Sequence, residues 1–166
     1  MRSIWSSPVI NTNTKIWLFS ATVLSVVTYA SETWKMTSKI AKKLDVFQQR
    51  CLRTTLHVSY RDHSTKEEIL QRTGSRRLRD IVAERRFRMA GHILCLSEER
   101  PAKTAMTWTP SEGRRGRGRP KETWRTFCKD LARVNIIWEE CATVAADRSR
   151  WRQLAAAQCA KPHGRN

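Results

Sequence analysis

The stretch Gly113-Arg114-Arg115-Gly116-Arg117-Gly118-Arg119-Pro120-Lys121 restricts what this chain can fold into more than any other. Its five cations, three glycines and one proline leave almost no apolar surface to bury. Glycine disfavours regular structure, and proline stops a helix from extending backwards through it. The segment is expected as an extended ribbon, with Pro120 as the first residue of the helix that follows. A cationic backbone that a partner can approach closely suits a nucleic-acid groove, because arginine forks match phosphate oxygens and base-edge acceptors. The other use of the same residues is a solvated basic linker that caps a helix.

Length and charge narrow the choice. With 166 residues the chain is one domain, or one and a half, and long enough to bury a core. The formal net charge of +17 opposes compaction and makes a polyanion, RNA or DNA, the expected partner. The 15 acidic residues argue against a wholly disordered basic tail. Seven Trp against two Tyr suit rings that staple helices together or stack on bases. Five cysteines, at Cys51, Cys95, Cys128, Cys141 and Cys159, are odd in number and show no paired spacing. That points to a reducing compartment, nuclear or cytoplasmic. The run Ile16 to Ala30 carries no charge but is too short to span a bilayer comfortably, so it reads as a buried helix and no membrane is expected as a partner.

Apolar residues recur at helical spacing almost throughout, so the expected fold class is all-α: a small basic multi-helix domain with an Arg/Gly-rich linker. The plan is an irregular lead-in over 1–12, a helical region over 13–97, the linker over 98–119, a helical segment over 120–160 and a loose tail over 161–166. The first helix is apolar nearly all round and asks for cover on several sides, which suggests a fragment of a larger body. Ser38 is expected to cap a helix over 38–58 whose seam is Ile40, Leu44, Phe47, Cys51 and Val58. Lys39, Lys43, Arg50 and Arg53 fall on a separate stripe, with His57 in line; such a stripe can track a phosphate backbone or be an ordinary solvated face. Ser64 and Glu67 form a capping box, and that helix stops at Gly74.

A long helix is expected over 76–97, with Leu78, Ile81, Val82, Met89, Ile93 and Leu96 inward. Arg85 falls within its apolar face and needs a partner, while Arg86 lies with Arg76, Arg77, Arg79 and Arg88 at the fringe. Pro101 is read as a break, with Trp108 anchoring the linker. Trp124, Phe127, Cys128 and Leu131 then share a stripe. Asp147 caps the last helix, in which Trp151, Leu154 and Ala155 face inward.

Catalytic constellations are missing. There is no closely spaced Asp pair for two-metal phosphoryl transfer, no nucleophile elbow and no phosphate-cradling glycine loop, so no enzyme activity and no cofactor are expected of this polypeptide. His92 and Cys95 have a zinc-like spacing, with Cys51 and His57 as an imaginable second pair, but both lie in apolar helical patterns where a core histidine is the plainer reading. The candidate nucleic-acid-binding residues are Arg114, Arg115, Arg117, Arg119 and Lys121 of the ribbon and Lys39, Lys43, Arg50 and Arg53 of the stripe.

Two resemblances sharpen this. Arg117-Gly118-Arg119-Pro120 looks like an AT-hook, whose arginines enter a narrow A·T minor groove. A longer series of segments, in order, resembles the region after the polymerase core of non-LTR retrotransposon endonuclease–reverse transcriptases. These are Val23-Leu24-Ser25 with Tyr29-Ala30-Ser31-Glu32-Thr33-Trp34, then Phe47-Gln48-Gln49-Arg50-Cys51-Leu52-Arg53, then Arg85-Arg86-Phe87-Arg88-Met89-Ala90-Gly91-His92. Arg117 to Trp124 and Asp147-Arg148-Ser149-Arg150-Trp151-Arg152 complete it. Ala30 and Met89 depart from the family's usual glycine and tryptophan. The resemblance implies a thumb-side, C-terminal piece of a reverse transcriptase without its polymerase and endonuclease domains, holding template RNA, hybrid or target DNA, with the missing polymerase as a possible further partner. A free chromatin protein that uses the hook, and a remnant without function, are the alternatives.

Overall fold

The computed structural model describes residues 4–5, 7–107, 131 and 134–160. Among them every regular element is helical, so the chain is all-α. The ribbon residues Arg114, Arg115, Arg117, Arg119 and Lys121, together with Trp108, Trp124, Phe127 and Cys128, lie outside the described residues. Two compact units divide between Ile81 and Val82, with Glu32–Met36 belonging to the second.

Unit 1 begins with α1, Thr12–Leu18, opened by Asn11, whose side chain accepts from the Asn13 N–H at 3.0 Å. The rod continues as a π-helical segment, Phe19–Leu24, and a last α turn, Ser25–Val27. Its hydroxyls bond back to the preceding turn: Thr22 Oγ1 donates to the Leu18 carbonyl at 2.6 Å, and Thr28 Oγ1 to that of Leu24 at 2.7 Å. Such side-chain competition accompanies widened and bent helices. The rod buries Phe19 but leaves Trp17, Val26 and Tyr29 exposed, so the apolar run is not buried all round as its composition suggested. It ends at Ala30, whose φ of 51° lies in the left-handed region that strains a side-chain-bearing residue.

Helix α2, Ser38–Leu56, is capped by Thr37 rather than Ser38: Thr37 Oγ1 accepts from the Ile40 N–H at 3.3 Å. The chain leaves it through His57 in left-handed conformation. Its buried line is Leu44, Gln48, Leu52 and Thr55, while Phe47 of the expected seam stands at the surface. Helix α3, Lys66–Thr73, starts in a capping box of Thr65 with Glu68, one residue beyond the expected Ser64–Glu67 pair, and stops at left-handed Gly74. Phe19, Leu52 and Ile69 form the small core of this unit.

Helix α4, Leu78–Leu94, carries the division between the units. Burial on it reverses one expectation: Arg85 is exposed and Arg86 is buried, because Val82, Arg86 and Phe87 share the line that packs inward. In unit 2, Pro101 does not break the chain; it opens α5, Pro101–Thr107, as a proline does when it supplies the first turn. Lys103 Nζ donates to the Leu94 and Leu96 carbonyls, both at 3.0 Å, and so holds the C-terminal end of α4. A short 3-10 turn, Trp138–Glu140, leads into α6, Cys141–Ala146, and α7, Arg148–Ala160, follows. Asp147 caps α7 as expected: its Oδ1 accepts from the N–H groups of Ser149 and Arg150, each at 3.0 Å.

Trp151 is the centre of unit 2. Its ring stacks on Phe87 at 4.4 Å between centroids, and its Nε1–H donates to the Phe87 carbonyl at 2.9 Å. Gly91 makes room for it, since a Cβ there would lie 2.1 Å from Trp151 Nε1. Gly91→Ala should therefore destabilise by about 1–3 kcal/mol through overpacking, and Trp151→Ala by about 3–5 kcal/mol. The alanine at 91 should cost nothing further once Trp151 is gone, because helix propensity then favours it. Urea unfolding of the two single variants and the double variant checks this, and additive costs would contradict it. Ala30→Gly should raise stability by about 0.5–1 kcal/mol in the same assay, by relaxing the left-handed residue.

Candidate nucleic-acid interface

Of the residues predicted to touch nucleic acid, four fall within the described structure, all on α2. Lys39, Lys43 and Arg50 are exposed, as is Lys42, which the stripe reading had left out. The only acid on this helix, Asp45, is not among them: its Oδ2 lies 3.4 Å from Arg79 Nη1. The outer face of α2 therefore shows cations with Val46 and Phe47 between them, while the helix's own carboxylate is turned to Arg79.

Arg53 does not belong to that face. It is 8% exposed, and its guanidinium donates to the carbonyls of Ser59, at 3.4 Å, and Ser64. Tyr60 stacks on it, with the guanidinium carbon 4.8 Å from the ring centroid. Arg53 thus staples the loop between α2 and α3, and its charge is absorbed by carbonyl dipoles and a ring face. Helical spacing placed it on the stripe. The fold turned it inward, where the Ser59 and Ser64 carbonyls of the loop accept from its fork.

Its neighbours do similar work. Gln48 is buried and spans to the next helix: its Nε2 donates to the Arg76 carbonyl at 2.6 Å and its Oε1 accepts from the Leu78 N–H at 2.9 Å. One amide so fixes where α4 begins and satisfies a donor at its N-terminal end. Gln49 Nε2 donates to the Lys66 carbonyl at 3.2 Å, joining the start of α3. Sequence reasoning missed these glutamines because a polar residue inside a helical pattern reads as surface. Their doubling beside buried Leu52 was the available signal.

The zinc-like grouping has no support in the geometry. His92 is exposed, against the reading of a core histidine, and Cys95 Sγ donates to the Ala145 carbonyl at 3.2 Å. Burial pushes the Cys51 thiol up from its ordinary value, against the pull of Arg50. No cluster of three metal-binding side chains occurs among the described residues, and none of their helices is long and apolar enough to cross a membrane.

No family model, curated protein or solved structure matches this chain. Phe47 to Arg53 supplies the bridges of unit 1, and Arg85 to His92 meets Asp147 to Arg152 through Gly91 and Trp151 in unit 2.

Removing Arg53 should accordingly lower stability rather than affinity alone. Gln48→Leu leaves two backbone groups without their partner, at about 1–3 kcal/mol each. Arg53→Ala should also lower the melting temperature while leaving the salt dependence of nucleic-acid binding by the folded protein unchanged. A fall in that dependence with an unaltered melting curve would return Arg53 to the surface.

Proposed function

We propose that this chain binds nucleic acid through its phosphate backbone, as the C-terminal region of a non-LTR retrotransposon reverse transcriptase whose chemistry resides in the polymerase and endonuclease parts of the same protein. The observation that carries the binding reading is the outer face of α2, where Lys39, Lys42, Lys43 and Arg50 stand exposed while Asp45 is turned to Arg79. A row of cations on one rigid helix spaces charge along a polyanion without ordering a loop first, and each contact releases counterions. The net charge of +17 supplies long-range attraction to the same partner. The order of the sequence segments supports the origin of the chain. The ribbon Arg114, Arg115, Arg117, Arg119 and Lys121 adds a phosphate clamp in this reading. Preference for A·T-rich DNA belongs to the alternative, in which the ribbon acts as a hook.

Binding should be salt-sensitive and nearly indifferent to sequence. Engagement of about five to eight phosphates gives a log–log slope near −4.5 to −7 on B-DNA. Replacing Lys39, Lys43 and Arg50 by Ala should reduce that slope by about 2.7 and weaken A·T-rich and G·C-rich duplexes equally. Fluorescence anisotropy across a salt series measures both quantities. A flat response in the unaltered protein, or an unchanged slope in the triple variant, would refute the reading.

A further inference from the structure

The cationic row of α2 runs toward the loop between α2 and α3, where Tyr60 stands with 69% of its surface exposed. The Arg53 guanidinium carbon lies 4.8 Å from the centroid of its ring, so one face is covered. A ring this exposed has its other face open. The cation beneath it is fixed: Arg53 is buried and donates to the Ser59 and Ser64 carbonyls, which lie on either side of Tyr60 in the chain. The turn that carries the ring, Tyr60–Asp62, is fixed as well. Ser59 Oγ accepts from the Arg61 N–H at 3.2 Å, and Asp62 Oδ2 accepts from the Ser59 N–H at 2.6 Å. Burial is the usual way to hold an aromatic ring, whereas Tyr60 is held and yet open to solvent.

The surroundings of the ring narrow what can cover it. Arg61, Asp62 and His63 beside it are exposed, so Tyr60 is not part of an apolar patch. An apolar helix or a hydrocarbon layer would find no further surface to bury there. A flat face is matched by another flat group. Arg50 is exposed one turn before Arg53, and Arg61 is next to the ring in the chain. The nearby acids Asp62 and Glu68 each accept a backbone N–H of their own capping box, the second from Thr65 at 2.9 Å. They keep their charge, so the ring itself selects the planar group, and the cations of α2 select the polyanion that carries it.

We propose that the open face of Tyr60 stacks one unpaired nucleobase of a strand whose phosphates lie along the outer face of α2. Arg50 and Arg53 are three residues apart and so neighbours on the helix, which puts the ring over Arg53 at the end of the cationic row. The inference rests on the phosphate-binding reading and deepens it. Contacts to phosphate are indifferent to pairing, but a base inside a duplex has both faces occupied by its neighbours. The ring therefore favours a single-stranded segment over a continuous duplex, and it accepts any base, since every base has a flat face.

The test compares oligothymidylate with an abasic strand of equal length and charge in the anisotropy assay. The unaltered protein is expected to bind oligothymidylate about tenfold more tightly, the scale of one stacked base. Tyr60→Phe keeps the flat face and should keep that ratio. Tyr60→Leu keeps a side chain over Arg53 without the flat face, and its ratio should fall below about threefold while it still unfolds cooperatively in urea. A ratio below about threefold in the unaltered protein, or above it in folded Tyr60→Leu, overturns the proposal. Should the leucine variant not fold, irradiation of the unaltered protein with a strand carrying 5-iododeoxyuridine decides, because that base joins to a ring stacked on it. Joining at Tyr60 supports the proposal, and joining only at other residues overturns it. Failure of both strands to bind at low salt overturns the phosphate reading too, whereas equal binding of both removes the stacked base alone.

Discussion

Gln48 occupies the middle of α2, where a leucine would be the ordinary choice, and both ends of its amide are used on backbone groups around the start of α4. A buried amide costs free energy unless every polar atom finds a partner. Once it does, the geometry is held far more narrowly than apolar packing would hold it. The rotation of α2 about its own axis follows from this. With Gln48 inward, Leu44 and Leu52 must also be inward, and Lys39, Lys43 and Arg50 must be outward.

That rotation also sorts the cations by role. Arg53 is on the same helix as Arg50 but ends among carbonyls at the loop, where its fork donates to those of Ser59 and Ser64. Arg50 has solvent around it. The difference between a structural and a binding arginine is thus set by what lies at the end of the side chain. In unit 2 the corresponding device is apolar: a glycine on α4 lets an indole lie against the helix backbone and bond to one of its carbonyls. Gly91 and Trp151 are distant in the chain and mean nothing separately.

Where reading and structure differ, a local rule was met by two candidates and a distant contact chose between them. Ser64-Thr65-Lys66-Glu67-Glu68 contains two overlapping capping boxes. The second is used because the Ser64 carbonyl is held by Arg53 and the Lys66 carbonyl by Gln49, which together set the register of the first turn. Arg85 and Arg86 exchange places for a similar reason: a shift of one residue rotates a helical side chain by more than a quarter turn, and packing of Phe87 on Trp151 selects the rotation. Pro101 could end an element or open one, and Met106 buried in the core of unit 2 favours a helix that starts there.

The sequence by itself determined the all-α class, the stops at Gly74 and before α7, the inward face of Trp151 and Ala155, and the excess of positive charge. Each of these depends on helical period, on caps a few residues long or on composition, all local quantities. Only the tertiary structure decided that Gln48, Gln49 and Arg53 are internal bridges and that Asp45 is turned to Arg79. The burial of a polar side chain depends on partners brought close by other helices, and no periodicity within α2 records where those partners will be.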